Sequence, residues 1–114
     1  MLRVKKGVVF KDFKEHIIFL LEILCNLSEI IKKDIWITSA NDGKHSKNSY
    51  HYLDLALDIR IRNLTSDEIK LVLTELTLDS GRYYLPFFDI VLESDHIHVE
   101  WDERRYLESL NSDY

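Results

Sequence analysis

Apolar residues recur at helical spacing between Asp12 and Lys33: Phe13, Ile17, Leu20, Leu21, Leu24, Leu27 and Ile31 fall on one stripe. Ile18, Ile23 and Ile30 widen that stripe, which predicts a long scaffold helix packed on two sides. Lys32 and Lys33 suit its electronegative C-terminal end. On this helix His16 is expected to be exposed, while Cys25, set among Ile23, Leu24 and Leu27, is expected to be a buried, inert thiol. Asp34–Ser39 then predicts a short strand, and the polar run Asn41–Asn48, with Asp42-Gly43 as a turn signal, a surface loop. From Tyr52 to Ile61 the pattern changes to period two. Leu53, Leu55, Leu57, Ile59 and Ile61 face one way and Asp54, Ala56, Asp58 and Arg60 the other, as in a strand with one apolar and one charged face.

Thr65 followed three residues later by Glu68 is a capping-box signature, opening a helix of about a dozen residues with Gly81 as its stop. Phe87–Glu93 and His96–Trp101 predict two strands, joined as a hairpin around Ser94-Asp95. Trp101 alternates to the side opposite His98 and so belongs to the core. Asp102–Leu110 predicts a short closing helix. The order helix, strand, strand, helix, strand, strand, helix indicates one α+β domain over residues 1–114. Its helices should cover one face of a small, mostly antiparallel sheet and leave the other face for a site.

Composition narrows the function classes. The net charge is −5 and the basic residues are scattered, which argues against a nucleic-acid surface, since that needs a concentrated cationic face. A lone cysteine excludes an internal disulfide. Ile17–Leu27 is interrupted by Glu22 and Asn26 and is too short to span a bilayer, and Met1–Phe10 lacks the apolar stretch of a signal peptide. The expected location is therefore the cytoplasm, with no membrane span.

Two segments concentrate the polar groups that metals need: Ser49-Tyr50-His51-Tyr52-Leu53-Asp54-Leu55-Ala56-Leu57-Asp58 and Glu93-Ser94-Asp95-His96-Ile97-His98. His96 and His98 point to one side of a strand, beside the carboxylates of Glu93, Asp95 and Glu100. Imidazole with carboxylate and no thiolate fits zinc in a catalytic rather than a structural site.

Together these segments resemble the zinc D-Ala-D-Ala carboxypeptidase family, which also includes vancomycin-resistance dipeptidases, several phage endolysins and the zinc-binding fold of Hedgehog signalling domains. The family's first motif, Ser-x-His-x-x-Gly-x-Ala-x-Asp, is matched in register by Ser49, His51, Ala56 and Asp58, and its closing His-x-His by His96 and His98. The resemblance spans roughly residues 35 to 101 and implies a Hedgehog/D-Ala-D-Ala-peptidase-like fold. It implies Zn2+ held by His51, Asp58 and His98, with Asp95, three residues before the last ligand, as general base. His96 then matches an accessory histidine that supports the transition state.

The implied reaction is hydrolysis of a peptide bond in peptidoglycan stem peptides, by a carboxypeptidase or an endolysin-type endopeptidase, with water activated at zinc. Glu93 is the rival base, and Arg60, on the same strand face as Asp58, is a candidate to orient that carboxylate. The chain also looks like the compact stand-alone members found in phage and bacterial genomes, which implies release at lysis. Two departures stand out. Asp54 replaces the family's glycine, and no arginine lies between Ile35 and Asp58 to hold a substrate carboxylate, leaving Lys44, His45 or Lys47, together with Ser49, as candidate substrate contacts. A different class of function is a non-catalytic zinc-stabilised binding domain of Hedgehog-like fold, which need not keep Asp95 and His96.

Overall fold

Five strands form one mixed sheet in the order β1-β2-β3-β5-β4, with two helices packed on one of its faces. In chain order the elements are β1 (Leu2–Val4), α1 (Glu15–Ile31), β2 (Ile35–Ser39), β3 (Ala56–Arg60), α2 (Ser66–Tyr83), β4 (Phe88–Leu92) and β5 (His96–Trp101). The computed structural model describes residues 1–10, 15–40, 56–83, 88–102, 107–108 and 110, and the side chains of all of these except 78–83. The expected loop Asn41–Asn48 and the strand positions Tyr52–Leu55 lie outside them. Of the expected closing helix, Leu107, Glu108 and Leu110 are helical.

The α+β class is as expected, but the sheet carries one parallel pairing. β1 runs parallel to β2, with Leu2, Arg3 and Val4 opposite Ile35, Trp36 and Ile37. Parallel neighbours need a crossover connection, and α1 supplies it. Three residues are too few for a periodicity signal, and β1 is held by long-range contacts instead. Arg3 Nε donates to Asp34 Oδ2 at 2.7 Å, the Ile35 amide to the Met1 carbonyl, and the Lys5 amide to the Ile37 carbonyl at 2.9 Å. The Arg3 hydrogen bond holds the Asp34 carboxyl below the ordinary carboxylate range. The pairs β2·β3, β3·β5 and β5·β4 are antiparallel.

The core lies between the helices and the sheet. Ile17, Leu20, Leu24 and Leu27 of α1 and Val72 and Leu76 of α2 meet Ile35, Ile37, Leu57, Ile59, Ile97 and Val99, all essentially buried. Each fully buried Leu or Ile contributes about 1.5–3 kcal/mol by leaving water. Period-two alternation then dictates the other face: Asp58 and Arg60 on β3, and His96, His98 and Glu100 on β5, stand opposite the core.

Several expectations on the helices are corrected. α1 ends at Ile31 and not at Lys33, because Lys32 turns into the left-handed region at φ 56°. The helix packs on one side: Ile18 and Ile30 are exposed, and so is Cys25, which shares their solvent face and not the core. His16 is buried rather than exposed. It lies four residues before Leu20 on the core stripe, and its ring stacks on Trp101 at 5.1 Å with 12° between the planes. Phe88 meets both rings edge-on. Trp101 is core, as its alternation required.

α2 opens as the sequence indicated. The Glu68 amide donates to Thr65 Oγ1 at 3.2 Å, and Glu68 Oε1 accepts from the Thr65 amide at 2.8 Å. Lys33 Nζ also reaches Glu68 Oε1, at 2.7 Å, and this bond is the main reason the Glu68 carboxyl lies below its ordinary value. The helix does not stop at Gly81 but carries on to Tyr83. It ends ahead of Pro86, whose ring disfavours helical geometry in the residue before it.

Candidate metal centre

The site is assembled by register. In the β3·β5 pairing Asp58 faces His98 and Arg60 faces His96. Directly opposed side chains on one face of an antiparallel pair have Cβ atoms about 4.5–5.5 Å apart, close enough for a carboxylate to meet an imidazole. His96 follows on the diagonal, two residues from His98, within reach of the same carboxylate.

The distances follow that scheme. Asp58 Oδ1 lies 2.9 Å from His98 Nδ1 and 3.5 Å from His96 Nε2. His98 Nε2 lies 3.7 Å from Glu100 Oε1, and His96 Nδ1 is 2.6 Å from Asp95 Oδ1. Asp58, His96 and His98 each offer a ligand atom, all within 4.8 Å of one another, and all three residues are half-buried. Their hydrogen bonding is mutual: the Asp58 carboxylate hydrogen-bonded to His98 raises the imidazole's pKa above its ordinary value against the opposing effect of burial, and Glu100 adds to the rise.

The donor set suits a metal ion of the kind that imidazole and carboxylate hold together. One carboxylate and two imidazoles without thiolate are a set that zinc, copper, iron and nickel can all take. Bonds of about 2.0–2.1 Å at tetrahedral angles place ligand atoms roughly 3.3–3.5 Å apart. The Asp58–His96 separation matches this, and the Asp58–His98 separation needs only a small opening. His96 carries a further feature of a ligating histidine, a carboxylate on its second nitrogen that fixes ring orientation.

Beside the triad opens a cavity of about 420 Å³. Asp58, Asp95 and His96 line it together with Lys5, Arg60 and Arg62. Asp95 is not a strand residue: it sits in the two-residue turn of the β4–β5 hairpin, closed by the Glu93 amide donating to the His96 carbonyl at 2.8 Å. Its side chain is 85% exposed and turned onto His96, whereas Glu93 is exposed and does not line the cavity. Of the two candidate bases, Asp95 and not Glu93 lines the cavity among the described residues. Arg60 shares a face with Asp58, as expected. Its guanidinium, however, lies over the Trp36 ring at 5.0 Å and not on the Asp58 carboxylate, which the two imidazoles occupy.

Of the residues singled out in the sequence, Asp58, Asp95, His96 and His98 are thus brought together, while His51, Ser49, Lys44 and His45 lie outside the described residues. Lys5 and Arg62 were not anticipated at the site. Arg62 continues the alternation Asp58, Arg60, and that spacing was legible; Lys5 arrives only through the β1·β2 pairing. No helix among the described residues is long and apolar enough to cross a membrane. The fold and site define a small α+β protein with a candidate Asp/His/His metal centre on the open face of its sheet. Neither the known protein families nor the curated proteins nor the solved structures contain a match to the chain.

Proposed function

We propose that this chain is a zinc-dependent peptidase of the Hedgehog/D-Ala-D-Ala-peptidase type, acting on peptidoglycan stem peptides. The observation that carries the reading is the convergence of Asp58, His96 and His98 on one sheet face beside a cavity. The peptidoglycan substrate rests on the motif resemblance alone. Asp58 and His98 would hold the metal, with the third ligand supplied by His51, as the motif implies, or by His96, whose Nε2 is already turned toward Asp58. Zinc so held supplies Lewis acidity and an activated water at neutral pH.

The chain's own groups have complementary tasks. Asp95, exposed at the cavity mouth, takes a proton from the attacking water and returns it to the leaving amine. Its bond to His96 Nδ1 orients that ring, so that Nε2 is directed at the reacting region. Glu100, 3.7 Å from His98 Nε2, would orient that ring and leave Nδ1, beside Asp58 Oδ1, for the metal.

The test is metal analysis of the full chain by mass spectrometry, with cleavage of a synthetic stem peptide followed by chromatography. About one zinc per chain and cleavage abolished in Asp95→Asn with zinc retained is the expected result. Zinc without cleavage would leave a zinc-stabilised binding domain, and no zinc after reconstitution would overturn the proposal.

A further inference from the structure

Arg60 stands on the same face of β3 as Asp58, two residues away, yet the two do not pair. Strand geometry puts their Cα atoms about 6.6 Å apart, well within the reach of an arginine side chain. A carboxylate can accept two parallel hydrogen bonds from a guanidinium, a stronger pairing than neutral groups make. Elsewhere in this protein an arginine near a carboxylate takes it: Arg3 Nε donates to Asp34 Oδ2 at 2.7 Å. Among the described residues Arg60 forms no ion pair, and its guanidinium lies 5.0 Å from the centre of the Trp36 ring.

Trp36 owes its place to register. β2 and β3 are antiparallel with Ile37 opposite Ile59, so one step along the strands Trp36 comes beside Arg60, on the open face of the sheet. The indole is half-buried there and lies outside the core that joins the sheet to the helices. Arg60 in turn faces His96 across β3 and β5. Trp36, Arg60 and His96 thus form one row across three strands, and Asp58 and His98 stand in the next. The negative face of the indole attracts the guanidinium, whose planar shape suits stacking. An Asp58 taken by that guanidinium would have its charge neutralised and its lone pairs occupied, which makes a poor metal ligand. With Arg60 on the indole, Asp58 Oδ1 stays with the imidazoles, 2.9 Å from His98 Nδ1 and 3.5 Å from His96 Nε2.

We propose that Trp36 is a positioning residue for the metal centre: by holding the Arg60 guanidinium on its ring, it keeps that cation off the Asp58 carboxylate and leaves the carboxylate for the metal. For the metal this rests on the peptidase reading; the separation of Arg60 from Asp58 stands without it.

The experiment measures the zinc affinity of the full chain by competition with a chromophoric chelator, in a double-mutant cycle between Trp36→Leu and Arg60→Gln. Leucine keeps apolar bulk at this position outside the core but has no π face. Trp36→Leu should weaken zinc binding about tenfold, a loss typical of groups that keep a metal ligand in place. Made together with Arg60→Gln, the same substitution should change the affinity less than about twofold, because no guanidinium is left to release. Trp36→Phe restores an aromatic face and should stay within about threefold of the native chain. In crystals of the metal-free Trp36→Leu chain, the Arg60 guanidinium should lie within about 4 Å of an Asp58 oxygen. Unchanged affinity in Trp36→Leu, an equal loss with and without Arg60→Gln, or a guanidinium that stays clear of Asp58 in the metal-free crystals would each overturn the proposal. A native chain that binds no zinc removes the peptidase centre instead, and the metal-free crystals then decide by themselves whether Trp36 keeps Arg60 off Asp58.

Discussion

Asp58 and His98 face each other across β3 and β5, with Oδ1 2.9 Å from Nδ1. They are 40 residues apart in sequence, and their approach is a matter of register. A slip of one residue in the β3·β5 pairing would turn one of them toward Leu57 and Val99 in the core, at the cost of burying a charged or polar group. The hydrophobic face of the sheet therefore enforces the geometry of the polar face.

Ligand assignment can be read from single substitutions. Asp58→Ala and His98→Ala should each lose stoichiometric zinc, measured by mass spectrometry on protein without a histidine tag. His96→Ala separates the two ligand sets. Zinc retained with loss of cleavage assigns the third ligand to His51 and an accessory role to His96; zinc lost assigns the ligand to His96 itself.

In protein stripped of metal by chelation, the His98 imidazole should titrate above about 6.5, its ordinary value, because Asp58 accepts its proton in the folded state. The pKa is raised on folding, so the linked stability is fully present below the unfolded value and disappears as pH rises through the folded one. An NMR pH titration of the ring resonances measures this. Asp58→Asn should lower the value, and an unchanged titration would sink the assignment of cause.

Thr65→Ala removes the side-chain oxygen that accepts from the Glu68 amide. The expected loss is about 1 kcal/mol, seen as a lower denaturant midpoint with an unchanged slope. Thr65→Ser should keep most of the stability.

His16, Trp101 and Phe88 form an aromatic cluster in the core. Trp101→Ala should cost about 3–5 kcal/mol, by loss of burial and the cavity left behind. A double-mutant cycle between His16→Ala and Trp101→Ala should give a coupling of roughly 0.5–1.5 kcal/mol from the stacked pair. A coupling near zero would mean that the stacking adds nothing beyond burial.

Local patterns carried much of this structure. The alternation through Ala56–Arg60 and His96–Trp101 put Asp58 with Arg60, and His96 with His98, each on one face, because a strand's geometry alone separates odd from even positions. The Thr65/Glu68 cap was readable for the same reason: its hydrogen bonds close within three residues. His16 lies on the stripe of Ile17, Leu20 and Leu24, so its burial follows from periodicity, against the exposure its polarity suggests.

Tertiary structure decided the rest. It chose β5 rather than β4 as the neighbour of β3, and so brought His96 and His98 to Asp58. It added a three-residue parallel strand and with it Lys5, and laid Arg60 on Trp36 instead of Asp58. The physical reason is common to all three. Periodicity is a property of a segment and is written in that segment. Register and partner choice depend on free energy summed over contacts between distant segments, which no single stretch of the chain contains.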